Sequence, residues 1–192
     1  MLTTVSPIVP KIRFDNALIG AAGVHYVAYK FLKRGMLALP TIRNTPGTDL
    51  IVTSSDGALH ANIQVKTTQF GRAKFWIICS AKKFAKLPYG PNDYYVLLRP
   101  RRADDPVETQ PDELEGFMLT AAEAKDEMAA QLQYWNNKGI VIPKFSLCIH
   151  VDKGPRERKW TLPDGNPLPD RKATWRERWR LWMINNPVIP AI

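Results

Sequence analysis

The chain has 192 residues, 45% of them hydrophobic and 10% aromatic, enough apolar mass for a substantial core and too much for a disordered segment. No apolar run approaches the roughly 20 residues needed to span a bilayer, and Met1 to Pro10 lacks the basic, apolar and small-residue order of a secretion signal, so a cytoplasmic location is expected. Two cysteines and three scattered histidines exclude a disulfide framework or a zinc cluster.

The formal net charge of +9 is unevenly placed. Residues 1–102 hold 15 Lys or Arg against 4 Asp or Glu, residues 103–151 hold 3 against 9, and residues 152–192 hold 9 against 5. A basic half of this kind is the electrostatic footprint expected for binding a phosphate backbone.

In chain order, Asn16 is expected to cap a first helix that runs to about Arg34 and ends at Gly35. Its apolar stripe is Ala17, Leu18, Ala21, Val24, Ala28, Phe31 and Leu32. Met36 to Ile42 reads as a strand. Thr48 to Thr53 and Leu59 to Lys66 read as two more, joined through Ser55-Asp56-Gly57, an Asp-Gly turn signal.

With Asp56 and Gly57 at the centre of the turn, Thr53 faces His60, Ile51 faces Asn62 and Asp49 faces Gln64. Side chains alternate along a strand, so Asp49, Gln64 and Lys66 fall on one face, with His60 further along it. Leu50, Val52, Ala61, Ile63 and Val65 take the other face. A three-residue turn would shift the pairing by one and dissolve the cluster.

Lys74 to Ser80, Tyr94 to Leu98 and Gly116 to Leu119 complete one mixed or antiparallel sheet, with a polar loop from Pro100 to Asp112. Thr120-Ala121-Ala122-Glu123 is a capping box that opens a helix from Ala121 to Trp135, stopped at Lys138-Gly139. Ile140 to Val151 adds a strand interrupted at Pro143, and Cys79 and Cys148 lie in apolar strands as reduced core residues.

Residues 1–151 form the core domain. Asp152 to Asp170 reads as a Pro-rich connector to a C-terminal helix on which Trp175, Trp179 and Trp182 make one docking stripe. Arg171, Lys172, Arg176, Arg178 and Arg180 are expected on its wet side, and this segment also suits a homodimer.

Gly23 within the first helix, then Lys33-Arg34-Gly35, Pro46-Gly47-Thr48-Asp49 and Ile63-Gln64-Val65-Lys66-Thr67, resemble the PD-(D/E)xK nuclease superfamily. This is the restriction-endonuclease-like fold that also contains Holliday-junction resolvases. Gln64, in the slot of a second acid, resembles the superfamily's QxK variant. The resemblance covers about the first half of the chain. It implies an α/β core with a central mixed sheet flanked by helices, to which the C-terminal helix is an addition.

The resemblance further implies metal-dependent hydrolysis of phosphodiester bonds in nucleic acid, with DNA the expected partner. Asp49, Gln64 and Lys66 take the catalytic positions, and magnesium or manganese is held by Asp49, Gln64 and the Val65 carbonyl. Relatives often place a glutamate just after the Gly23 position, where this chain has Val24. With a single carboxylate the ion is expected to bind weakly until substrate phosphate adds its charge. Arg43, Arg72, Lys74, Lys82, Lys83 and Lys86 flank or follow the hairpin and are the expected backbone contacts, with His60 as an accessory proton carrier. The alternative is a nuclease-fold protein that binds DNA or a protein partner without cutting, the acidic 103–151 segment being the surface for a protein.

Overall fold

The computed structural model describes residues 15–41, 47–69, 73–87, 89–100, 114–140 and 146–184. The first helix, α1 (Asn16–Leu32), is capped by Asp15 rather than Asn16: the Asp15 carboxylate accepts from the Ala17 N–H at 2.9 Å. Gly35, at φ 74°, turns the chain out of the helix. The buried stripe is Gly23, Val27, Ala28, Lys30 and Phe31, while Leu18 and Leu32 stand 63% and 52% exposed, contrary to the expected stripe. Two apolar stripes compete on this helix, and the one carrying the smallest residue wins because it lets the backbone come closest to the sheet.

The remaining elements are β1 (Leu37–Pro40), β2 (Leu50–Thr53), β3 (His60–Thr67), β4 (Phe75–Ser80), α2 (Ala81–Phe84), β5 (Asp93–Pro100), β6 (Leu114–Thr120), α3 (Ala121–Asn136), β7 (Ser146–His150) and α4 (Lys172–Ile184). Five strands make a mixed sheet in the order β1-β2-β3-β5-β6, in which only β3 and β5 run parallel. The fold is therefore α/β, a central mixed sheet flanked by helices.

The expectation of one sheet is corrected by β4, which leaves it and pairs antiparallel with β7. The reason lies in β5, whose six central residues are all buried and so need cover on both faces. On one face α1 packs Val27 and Phe31 over Leu50, Val52, Ala61, Ile63, Val65, Val96 and Leu98. On the other, Trp76 and Ile78 of β4, Leu147 and Ile149 of β7, and Ala124 and Met128 of α3 cover Tyr95, Leu97, Phe117 and Leu119. Trp76 also donates its indole N–H to the Leu98 carbonyl at 3.1 Å, fastening the second layer to the first.

The capping box at Thr120 and Glu123 is formed in both directions. Cys79 and Cys148 are buried free thiols.

Helix α4 lies along β6. Trp175 and Trp179 are buried, and the Trp179 indole sits on Gly116, where an added Cβ would fall 2.3 Å from Nε1. Trp182 meets Phe31 and Tyr94 at ring separations of 5.5 and 5.3 Å.

Two of the arginines expected in solvent are instead turned onto the sheet. Arg176 donates to Glu115 at 2.8 Å, and Arg178 donates to the Met118 carbonyl at 3.0 Å and to Glu123 at 2.6 Å. Glu115 is shared with Arg99, a fully buried guanidinium that also donates to Asp152 and to the Ala73 carbonyl, each at 2.8 Å. Burial works against the Asp152 carboxylate, but its bonds to Lys172 and Arg99 hold its pKa well below the usual carboxylate range.

The segment from Asp152 to Asp170 is likewise anchored by buried contacts. Lys153 donates to buried Glu127 at 2.7 Å, and Trp160 is 1% exposed.

Candidate functional site

The hairpin of β2 and β3 has the register the sequence implies: Thr53 pairs with His60, Ile51 with Asn62 and Leu50 with Ile63. The connection differs in shape. Ser54 N–H bonds to the Leu59 carbonyl at 2.9 Å, so the turn comprises the four exposed residues 55–58, with Gly57 at φ 72°. Two-residue and four-residue turns conserve the same parity, which is why the side-chain faces survive the change.

At Asp49 the two strands part. The Asp49 N–H still bonds to the Ile63 carbonyl at 2.9 Å, but the next donor on β3, Val65 N–H, is taken by the Asp49 carboxylate at 2.8 Å. Thr41 fixes the approach: its N–H reaches the Asp49 carbonyl at 3.0 Å and its hydroxyl the Thr48 carbonyl at 2.6 Å. The N–H and C=O of one strand residue point to the same side of the strand, so the Val65 carbonyl is directed toward the Asp49 side as well.

Gln64 lies beside Tyr95, and Lys66 beside Leu97, in the parallel pairing of β3 with β5. Tyr95 and Leu97 are roofed by the second layer, whereas Ile51 and Leu39 on the neighbouring strands are 42% and 56% exposed. Gln64 and Lys66 thus sit half-buried on a ledge where the cover of the sheet stops. Burial raises the Cys79 thiol pKa, and the charges of Lys66 and Lys83 pull it back.

The Gln64 side-chain oxygen is buried and has no hydrogen-bond partner. A buried amide oxygen left without a donor is costly unless something outside the protein completes it. A carboxylate, an amide oxygen and a backbone carbonyl form a hard, all-oxygen donor set, which suits magnesium or manganese and does not suit zinc. No group of three or more His, Cys, Asp or Glu able to hold a metal exists among the described residues.

No family model matches the chain, and no curated protein matches it. A bacterial homing endonuclease is similar in structure, with a TM-score of 0.45 and 14% identity over 89% of this chain and 93% of that one.

The other expected residues are dispersed. His60 shares the face but stands at the far end of β3, six residues from Lys66 and so about 20 Å away. Its ring lies 2.9 Å from the Asn92 amide. Lys82 and Lys83 are exposed on α2, which follows β4 directly, and Lys86 is exposed just after it. Lys74 is exposed at the opposite end of β4. Arg43 and Arg72 lie outside the described residues. Val24 packs against the α1 core, so its position holds an apolar contact and offers no charge.

Two contributors escape sequence reasoning. Tyr95 flanks Gln64 only because β3 and β5 pair in parallel, a contact that no local pattern announces. Thr67 meets Gly23, so that a Cβ on the glycine would fall 1.7 Å from Oγ1. Both residues stand in the motif segments, but their contact is visible only once α1 is laid on the sheet.

No helix among the described residues is long and apolar enough to cross a membrane.

Proposed function

We propose that the chain is a metal-dependent nuclease that hydrolyses phosphodiester bonds, with DNA as substrate. The observation that carries this reading is the unpartnered, buried Gln64 oxygen on the same ledge as Asp49, the Val65 carbonyl and Lys66. Asp49 and the Gln64 and Val65 oxygens hold the divalent ion; when bound, magnesium or manganese supplies Lewis acidity to the phosphate and lowers the pKa of an attacking water. Lys66 places a positive charge where negative charge builds on the phosphate oxygens and orients the water. Tyr95 and the second layer close the inner side of the ledge, so substrate enters from the side of Ile51 and Leu39. Asp49 keeps one carboxylate oxygen for this role while the other accepts from Val65 N–H.

One carboxylate gives weak ion binding in the free protein. Substrate phosphate contributes the missing charge, so ion and nucleic acid bind together. Lys82, Lys83 and Lys86, exposed on and just after α2, add positive charge for the phosphate backbone.

The second reading is a protein of this architecture that binds DNA, or a protein partner, without cutting. It is favoured by the apolar commitment of Val24 and by the neutral Gln64, which leave Asp49 as the single acid of the cluster.

The test is cleavage of supercoiled plasmid and of branched DNA with magnesium or manganese by wild type, Asp49→Asn and Lys66→Met. Asparagine can still accept from Val65 N–H, so the strand junction is preserved while the charge is removed. Cleavage by wild type that both variants lose is the expected result. Cleavage that persists unchanged in Asp49→Asn would overturn the mechanism, and salt-sensitive DNA binding with no cleavage by wild type selects the second reading.

A further inference from the structure

The chain carries a cleft of about 410 Å³ that the hairpin site does not use, where β4 begins and β7 ends. Its lining includes Lys74, Phe75, His150, Asp152, Arg156 and Glu157. The volume falls in the roughly 300–1,000 Å³ range of small-molecule sites.

Phe75 and His150 are cross-strand partners, their rings 5.3 Å apart and inclined by 30°. Phe75 is 49% exposed, so its ring face is open to the cleft. His150 is 8% exposed and meets the edge-on ring of Trp160 at 5.0 Å. Burial lowers its pKa to about 4, so at neutral pH the ring offers one donor and one acceptor nitrogen.

The charges around the cleft are not balanced. Asp152 is held by Arg99 and Lys172, and Glu157 by Arg156, whose guanidinium also lies over the Trp135 ring at 5.8 Å. Lys74 has no acidic partner among the described residues. The cleft therefore combines an open aromatic surface, a neutral hydrogen-bonding ring and an uncompensated cation.

We propose that this cleft binds an unstacked nucleobase with its phosphate, the base stacking on Phe75, its edge meeting His150 and the phosphate held by Lys74. Every base has a π-face for the phenyl ring and hydrogen-bonding groups on its edge, and the attached phosphate answers the cation. Such a nucleotide comes either from an unpaired stretch of a strand or from a free mononucleotide. The site rests on the nucleic-acid part of the reading above and is independent of cleavage.

The test is fluorescence anisotropy in EDTA, where no cutting occurs, with a short labelled single strand, the blunt duplex of the same sequence, and mononucleotides as competitors. Wild type is expected to prefer the single strand by on the order of tenfold. Phe75→Ala removes the preference and leaves duplex affinity unchanged, Phe75→Tyr keeps it, and Lys74→Gln lowers the salt slope by about one. Phe75 is half-exposed, so its truncation spares the fold. Competition by mononucleotide with the same dependence on Phe75 supports the site and assigns it to free nucleotide. Single-strand binding unchanged in Phe75→Ala overturns the proposal, as does a wild type that neither prefers single strand nor binds mononucleotide. Repeating the series in Asp49→Asn separates the two readings: a Phe75 effect there without wild-type cleavage sinks only the nuclease.

Discussion

Gly23 of α1 and Thr67 of β3 meet so closely that a Cβ on the glycine would lie 1.7 Å from the Thr67 Oγ1 and 2.8 Å from its Cβ. Rotation of the threonine relieves the first contact but not the second, so the helix must lift from the strand one residue beyond Lys66. Gly23→Ala is expected to destabilise the fold by about 1–3 kcal/mol despite alanine's better helix propensity. Urea denaturation measures it, and an unchanged midpoint would show that α1 yields without cost.

Gln64→Glu adds a second carboxylate at the ledge. Magnesium affinity without DNA is expected to rise on the order of tenfold, because ligand charge count sets affinity at such oxygen sites. Calorimetric titration reads it directly. An unchanged affinity would place the ion elsewhere.

Lys82, Lys83 and Lys86 are exposed on and just after α2. Replacing all three by alanine should reduce the slope of log affinity against log salt by up to about 3, with little change in thermal stability. Equal slopes for wild type and variant would remove these lysines from the interface.

Arg99 draws together Glu115, Asp152 and the Ala73 carbonyl at full burial. Arg99→Met leaves those acids to Arg176 and Lys172 alone, and a loss of about 3–5 kcal/mol is expected. Arg99→Lys should recover little of it, since one ammonium cannot reproduce the divergent fork of a guanidinium. A lysine variant as stable as wild type would contradict the network.

Two buried groups give stability opposite slopes with pH. Burial lowers the His150 pKa to about 4, so its contribution is present above its unfolded value near 6.5 and is lost as pH falls through 4, on the order of 3 kcal/mol in all. Burial raises the Glu127 pKa to about 7 against the pull of Lys153, so its contribution is present below about 4.5 and is lost as pH rises through 7. Stability curves of His150→Phe and Glu127→Gln should each lose one of these limbs. A Glu127→Gln curve that parallels wild type between pH 4.5 and 7 would disprove the second assignment.

The parts of this molecule that the sequence makes legible are those encoded locally. The Asp-Gly turn sets the register of β2 on β3, Thr53 against His60 and Ile51 against Asn62, and two-residue alternation puts Gln64 and Lys66 on one face of β3, while the capping box at Thr120 marks where α3 begins. What is not legible is decided by distant partners. Phe75 to Ser80 has the composition of a central strand, yet joins β7 because β5 requires cover on both faces, and Leu18 and Leu32 look like core until Gly23 sets the rotation of α1. The arginines of α4 read as solvated because the acids that hold them, Glu115 and Glu123, lie more than fifty residues away.

That separation bears on how the chain reaches its folded state. Arg176 and its partner Glu115 are 61 residues apart, and between them lie α3 and β7. During synthesis the sheet can assemble through β6 well before α4 is available, leaving the outer edge of that edge strand uncovered and able to template another chain. The tryptophans and arginines of α4 then act as a late-arriving guard against aggregation. Shortening the chain ahead of residue 172 should show itself first as insolubility, before any loss of chemistry at the distant ledge.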